Sequence, residues 1–313
     1  MTALVQSGRA AWRAWVALWD HREDAAALAL VRICVGLVLA YDLFTIARLG
    51  LVDALYLPPP VGYAVAYDGW ASALGWSGAT VWLVATIAAA CIATGTLTRV
   101  ACVVFVLASA QLGHIAPDGE RGIDMMLRIV VGILACSRSH ARWSIDAWVR
   151  RRIGKPLAHE VPAWPRYLLL LQLLWIYVSG GLNKGGASWG PFGGFTALAN
   201  ILADPHVARF DPAWVATALP LTRIATALTM AFELGAPLYL AFYYFAATRD
   251  QPGKLRALSN RLQLRWVWIA LGLSFHLGIA ITMRLGSFPW GMLALYPVLL
   301  MPRELGTVST LST

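Results

Sequence analysis

Charge is what this chain has least of: 13% of its 313 residues are Asp, Glu, Lys or Arg, against about 25% in an ordinary soluble domain. With 59% of the residues hydrophobic and gathered in long runs along the whole chain, a water-soluble globule is excluded, because no soluble core buries that many such runs. Cysteine is scarce as well. Cys34, Cys91, Cys102 and Cys136 all sit inside apolar runs, with no CxxC spacing. That excludes a disulfide framework and a zinc site, and no metal is expected. No internal repeat is visible, which argues against the paired halves of a secondary transporter. No cleavable signal peptide is legible in residues 1–26, which lack a long apolar core. Arg9, Trp12, Arg13, Trp15 and Trp19 instead suit a short amphipathic helix lying at a membrane surface.

What is present is a series of membrane spans. A span takes about 20 apolar residues, and the sequence predicts about eight: 27–47, 77–96, 100–116, 122–137, 165–184, 221–247, 265–284 and 287–302. Pro237 predicts a tilt or kink in the sixth. Loop charge sets the orientation. Residues 138–166 hold Arg138, Arg142, Arg150, Arg151, Arg152, Lys155 and Arg166, and residues 249–265 hold Arg249, Lys254, Arg256, Arg261 and Arg265. Both are expected in the cytoplasm. Residues 49–75 have no Lys or Arg and 185–220 only Arg209, so both are expected outside, as aromatic-rich caps or half-buried helices. The expected fold class is all-α, a polytopic transmembrane helix bundle with both termini cytoplasmic. Its parts are an amphipathic segment at 1–26, the bundle at 27–302 and a tail at 303–313. The net charge of +9 lies in loops that face anionic lipid. Membrane lipid is therefore the expected partner, and nucleic acid is not. Richness in Ala, Leu and Arg points to a bacterial source, hence the bacterial cytoplasmic (inner) membrane.

A charged side chain at the centre of a membrane helix costs at least ~2.5 kcal/mol, so each one needs a partner or a task. The chain has Arg32, Asp42, Asp124, Arg128, Lys184, Arg223, Glu233 and His276 inside or at the ends of its apolar runs, and His114 near the outer end of the third. At ~1.5 Å per residue, Arg32 is the one clearly in the inner half. The bias predicts a polar cavity opening outward, shaped by Asp42, His114, Asp124, Arg128, Tyr177, Glu233 and His276. Ordinary alternatives stand beside it. Asp124 and Arg128, four apart, can form a helix-surface ion pair. Lys184, at a helix end, is more simply a side chain that snorkels to the headgroups. His276 is more simply a packing histidine. Glu233, near mid-membrane, has to be paired or protonated. Tyr177 precedes Lys184 by about two turns and shares its face.

The stretch QLLWIYVSGGLNKGGASW at 172–189 resembles the HTTM family, the horizontally transferred transmembrane domain, which includes the membrane part of vitamin K-dependent gamma-glutamyl carboxylase. Tyr177, Gly181, Lys184 and Trp189 carry the match. LVRICVGLVLAYDLF at 30–44 is similar to the family's opening helix. GIDMMLRIVVGILACSRSHARWSID at 122–146 is similar to its central block through Asp124, Arg128, Ser144 and Asp146. FHLGIAITMRLGSFPWGMLAL at 275–295 is similar to its late block through His276, Phe288 and Pro289. The likeness covers roughly residues 25–302. It implies a vitamin K-like quinol as cofactor and Lys184 as the base towards it. Oxygenation of the quinol then yields a strong base that removes a proton from glutamate so that carbon dioxide can add. The chain departs from the carboxylase in having Asn183 where that enzyme has a first lysine. It also shows no counterpart of the large outer domain after the last span, so peptide carboxylation by this chain alone is not expected.

Two function classes follow. One is a carboxylase-like lyase that uses a quinol, with Lys184 catalytic. The other is a non-enzymatic membrane scaffold or maturation partner for a secreted peptide or a separate soluble protein. A small-solute transporter ranks behind both.

Overall fold

The computed structural model describes residues 8–9, 12–13, 15–17, 19–65 and 69–306. The segment expected at 1–26 and the tail expected at 303–313 lie partly outside the described residues. Arg9, Trp12, Arg13 and Trp15 are helical and exposed.

Helices form where the apolar runs lie, because in lipid a backbone can satisfy its N–H and C=O groups only internally. They are α1 (Ala26–Arg48), α2 (Gly78–Thr94), α3 (Thr98–Ile115), α4 (Gly122–Cys136), α5 (Trp164–Leu182), α6 (Leu219–Leu234), α7 (Leu238–Ala247) and α8 (Leu264–Thr282), with shorter helices between them. Their outward stripes are apolar too. Leu37, Tyr41 and Phe44 on α1, Val100, Val103 and Leu107 on α3, and Leu221, Ile224 and Leu228 on α6 are exposed. Steps of three and four residues put each trio on one face, and faces of that kind suit lipid rather than water.

Among the described residues α1, α3 and α8 are long and apolar enough to cross a membrane, and α6 with α7 makes a fourth span if the bent pair is counted as one. The bend is 68°. It falls at Pro237, where the sequence predicts it, since proline has no N–H to return to the carbonyl of Glu233. Helices α2 and α4 have 17 and 15 residues, ~25 and ~22 Å of rise against a ~30 Å hydrocarbon core. The run at 287–302 holds a shorter apolar helix, Phe288–Leu299, with a break inside it. It divides into Phe288–Leu293 and a 3-10 turn at Tyr296–Leu299, where Pro297 withholds the next helical hydrogen bond. A two-stranded antiparallel pair, β1 (Arg22–Asp24) with β2 (Glu160–Pro162), was not foreseen, because three residues are too few to show a strand period.

The chain divides into two compact units, residues 1–170 with 294–313 and residues 171–293. In the first, α1 packs on α2, α2 on α3 and α3 on α4. Association inside a membrane relies on close approach of small residues. Gly36 supplies one such contact: a Cβ there would stand 2.4 Å from the backbone nitrogen of Ala93. The turn between α2 and α3 is held by one base and one acid. Arg32, fully buried, donates from Nη1 to the carbonyls of Ile92 (2.8 Å) and Ala93 (3.1 Å), and from Nη2 to that of Trp143 (2.6 Å). The first two belong to the last turn of α2, beyond the end of its four-residue hydrogen-bond ladder. Asp146 accepts from the backbone N–H of Leu97 (2.8 Å) and Thr98 (2.9 Å) and from the Thr98 hydroxyl (2.9 Å), at the start of α3. Arg166, read from sequence as a loop charge, is instead buried against Glu23. Nε donates to Oε1 at 2.6 Å and Nη2 to Oε2 at 2.7 Å.

In the second unit the C-terminal part of α5 packs with α6, α7 and α8 around aromatic rings. Phe232 and Trp268 lie 4.5 Å apart, Tyr177 and Phe232 4.7 Å, and Tyr239 and Trp268 4.8 Å, centroid to centroid. The 185–220 segment contributes buried Ala199, Leu202 and Val215, which pack with Ile279 and Met283, so it does hold half-buried helices.

Truncating one member of a buried bidentate pair strands the other charge at a cost of ~3–5 kcal/mol, while replacing both with apolar groups costs little. Arg166→Met should therefore unfold the detergent-purified protein at a markedly lower temperature than wild type, and Glu23→Leu/Arg166→Met should recover most of that loss. A single variant as stable as wild type would contradict this role.

Candidate functional site

Helix α5 ends in glycine: Gly180 and Gly181 precede Leu182, and Gly185 and Gly186 follow Lys184. Here the backbone N–H of Lys184 bonds the Gly181 carbonyl at 3.2 Å, and its Nζ reaches back to the Gly180 carbonyl at 3.4 Å. A cation over the last carbonyls of a helix is a favourable placement. The same Nζ donates to Glu233 Oε1 at 2.6 Å and Oε2 at 2.5 Å. The two side chains are 22% and 5% exposed, so Glu233 is enclosed and Lys184 keeps one side open. The Trp189 ring lies 5.2 Å from Nζ, a cation–π distance.

Two glycines allow the approach of α5 to α6. A Cβ at Gly181 would lie 2.9 Å from Leu234 Cδ2 and 3.2 Å from Glu233 Cβ. At Gly180 it would lie 3.5 Å from Glu233 Oε1 and 3.6 Å from Lys184 Nζ. The bare Cα of Gly180 thus leaves a methyl-sized space beside both charged groups. The snorkelling expected of Lys184 is corrected. Its ammonium turns inward, because stretching to a headgroup would leave the Glu233 carboxylate enclosed without a counter-charge.

Tyr177 Oη and His276 Nε2 share a 2.7 Å hydrogen bond at 2% and 0% exposure. The Phe232, Trp268 and Phe275 rings surround the pair. This bond ties α5 to α8 inside a packed aromatic core.

The remaining polar residues gather in the first unit. Arg121 bridges two acids, donating from Nη2 to Asp42 Oδ2 at 2.5 Å and to Asp124 Oδ1 at 2.8 Å. Arg128 donates to the Ser109 hydroxyl at 3.1 Å, to the Ser109 carbonyl at 2.9 Å, and to Glu120. The Asp124–Arg128 pair allowed by their spacing is therefore not formed. Asp124 sits at the third position of α4 and accepts the backbone N–H of Arg121 at 2.8 Å, which draws it towards the helix start. Asp42, Glu120, Asp124, Arg128 and Tyr56 line a hollow of about 70 Å³ together with apolar side chains of α1 and α3. Glu120 and Arg121 were missed. Their signal was adjacent opposite charges immediately before an apolar run. His114 is exposed in the last turn of α3 and is not part of that lining. Arg223 is exposed. Of the residues expected to shape one cavity, Asp42, Asp124 and Arg128 come together in the first unit. Lys184 with Glu233, and Tyr177 with His276, come together in the second.

Loss of the Tyr177 hydroxyl removes a buried polar partner from His276, which costs about 1–3 kcal/mol. Tyr177→Phe should lower the melting temperature of the purified protein, and an unchanged value would show that the bond does not hold the helices.

Comparison with family models matches residues 21–303 to the HTTM domain. Comparison with curated proteins and with solved structures finds no match.

Proposed function

The chain belongs to the HTTM domain family, and from that membership together with the Lys184–Glu233 pair we propose that it is an integral membrane enzyme of carboxylase-like type, with Lys184 as catalytic base and a lipid-soluble quinol as cofactor. In this reading the chain crosses a bacterial cytoplasmic membrane about eight times with both termini inside. The Arg-rich segments at 138–166 and 249–265 support that orientation. The shorter apolar helices Gly78–Thr94 and Phe288–Leu299 supply spans beyond the longest ones.

The observation that carries the proposal is a lysine whose Nζ touches both oxygens of an enclosed carboxylate, at 2.5 and 2.6 Å, while keeping an open side. The surroundings fit a quinol. Trp189 offers a ring an aromatic face at 5.2 Å from Nζ, and Gly180 adds methyl-sized room beside both charged groups. When bound, the quinol supplies through its oxygenation the strong base that an unactivated C–H requires.

The chain's own part is to move a proton. An ammonium cannot accept one, so the proton on Lys184 Nζ first passes to Glu233 Oε2 across 2.5 Å. That step replaces two opposite charges by a neutral amine and a neutral acid. Enclosed surroundings lower its cost, since ions are costly to desolvate. The free amine then accepts a proton from a hydroxyl brought against it. The Gly180 carbonyl, 3.4 Å from Nζ, orients the amine.

Positioned acid–base groups contribute about 10²–10⁴-fold to rate. Lys184→Ala should lose quinol consumption by that order while keeping the gel-filtration profile of a folded protein, at a lower melting temperature because Glu233 loses its counter-charge, and lipid extracted from the wild-type protein should contain a quinone in one-to-one ratio. A folded Lys184→Ala protein with the wild-type rate would remove the proposal. A second reading, a scaffold or maturation partner for a secreted peptide or a separate soluble protein, draws on Phe192 and Phe210, 99% and 53% exposed in the 185–220 segment. A stable co-purifying protein with no extractable quinone would favour it.

A further inference from the structure

The hollow in the first unit takes no part in the chemistry assigned to Lys184, and its polar groups are unevenly spent. Both guanidiniums are paired through Nε and Nη2: Arg121 with Asp42 and Asp124, Arg128 with Glu120 and Ser109. The acids are paired less fully. Asp42 accepts through Oδ2 and Glu120 through Oε1, and Asp42 Oδ1 and Glu120 Oε2 have no partner among the described residues. Tyr56 is 7% exposed and lines the same hollow, and its hydroxyl likewise has no partner among the described residues. Three carboxylates (Asp42, Glu120, Asp124) against two guanidiniums (Arg121, Arg128) leave one negative charge in excess. The rest of the wall is apolar, including Leu39, Leu43, Phe105 and Leu112.

Each feature restricts the occupant. An anion would meet three carboxylates against two guanidiniums, an excess negative charge that repels it. A wholly apolar molecule would strand two carboxylate oxygens and a phenol away from water. No group of three His, Cys, Asp or Glu suited to a metal ion occurs among the described residues, so a cation has to bring its own N–H groups. Glu120 is set in place by Gly113, where a Cβ would lie 2.3 Å from its Oε1. The carboxylate therefore lies directly against α3, with its second oxygen left over.

We propose that this hollow binds a protonated primary amine carried on an apolar chain, either the headgroup of an aminolipid or a free long-chain amine. The ammonium has three N–H donors for Asp42 Oδ1, Glu120 Oε2 and the Tyr56 hydroxyl oxygen. The apolar chain lies along Leu39, Leu43 and Ile46 of α1. A hollow of about 70 Å³ has room for a small head of this kind, since a water needs only ~10–15 Å³ by the same measure.

Isothermal titration of the full chain in neutral detergent with n-dodecylamine, 1-dodecanol and dodecyl sulfate tests the site. The amine should bind at least about tenfold more tightly than the alcohol, and the sulfate should not compete. Tyr56→Phe removes a hydroxyl that has no partner among the described residues, so it should fold normally and weaken amine binding about tenfold. Glu120→Gln should weaken it further, and Lys184→Ala should leave it unchanged. Native mass spectrometry from nanodiscs of phosphatidylethanolamine against phosphatidylcholine separates the sources. Selective retention of the ethanolamine lipid identifies a lipid headgroup, and its absence alongside dodecylamine binding identifies a free amine. Equal affinity for amine and alcohol, or undiminished amine binding by folded Tyr56→Phe and Glu120→Gln, overturns the proposal.

Discussion

A carboxylate enclosed among apolar helices has to find a cation, and for Glu233 that cation is Lys184, which meets both its oxygens at 2.5 and 2.6 Å. The same requirement organises the rest of the chain. With so few charges, Glu23, Arg32, Arg166 and Glu233 among the described residues are each enclosed and either paired or set against the backbone of a helix end. Arg166 and Glu23 pair bidentately, Arg121 holds Asp42 and Asp124, and Arg32 closes the last turn of α2. Most of these contacts are structural. They explain how a chain with this little surface charge keeps its loops and helix ends in register.

What separates Lys184–Glu233 from the Arg166–Glu23 pair is access. Arg166 and Glu23 are each 2% exposed in their side chains, against 22% for Lys184. A sealed pair can only hold two segments together. An open one can exchange a proton with a molecule that reaches it. Glycine at 180 leaves methyl-sized room beside both charged groups, and glycine at 181 brings α6 close enough to pair. The small-residue stretch between Tyr177 and Lys184 therefore has a physical purpose in both the packing and the chemistry.

The helices were legible because a lipid environment imposes a simple rule on composition. The first predicted span, 27–47, differs from α1 by one residue at each end, and Pro237 marked the sixth-span bend through its missing N–H. The break at Pro297 obeyed the same rule, but the apolar run concealed it. Pairings across long separations were not legible. Nothing local to Arg166 points to Glu23, and nothing local to Lys184 points to Glu233 rather than to a headgroup. Asp124 shows a different failure. Its spacing to Arg128 satisfied the helix-pair rule, yet the first turn of α4 claimed its carboxylate for the Arg121 N–H. The candidate site was therefore visible as a set of residues and invisible as a set of contacts.

The central claim is that Glu233 is kept ionised by Lys184 in the resting protein. A difference infrared spectrum between wild type and Glu233→Gln isolates the Glu233 carboxyl vibration directly. Wild type should show an ionised carboxylate, and a Lys184→Met background should convert that signal to a protonated acid, since the enclosed group then has no counter-charge. An identical Glu233 signal with and without Lys184 would contradict the pairing and the proton path built on it.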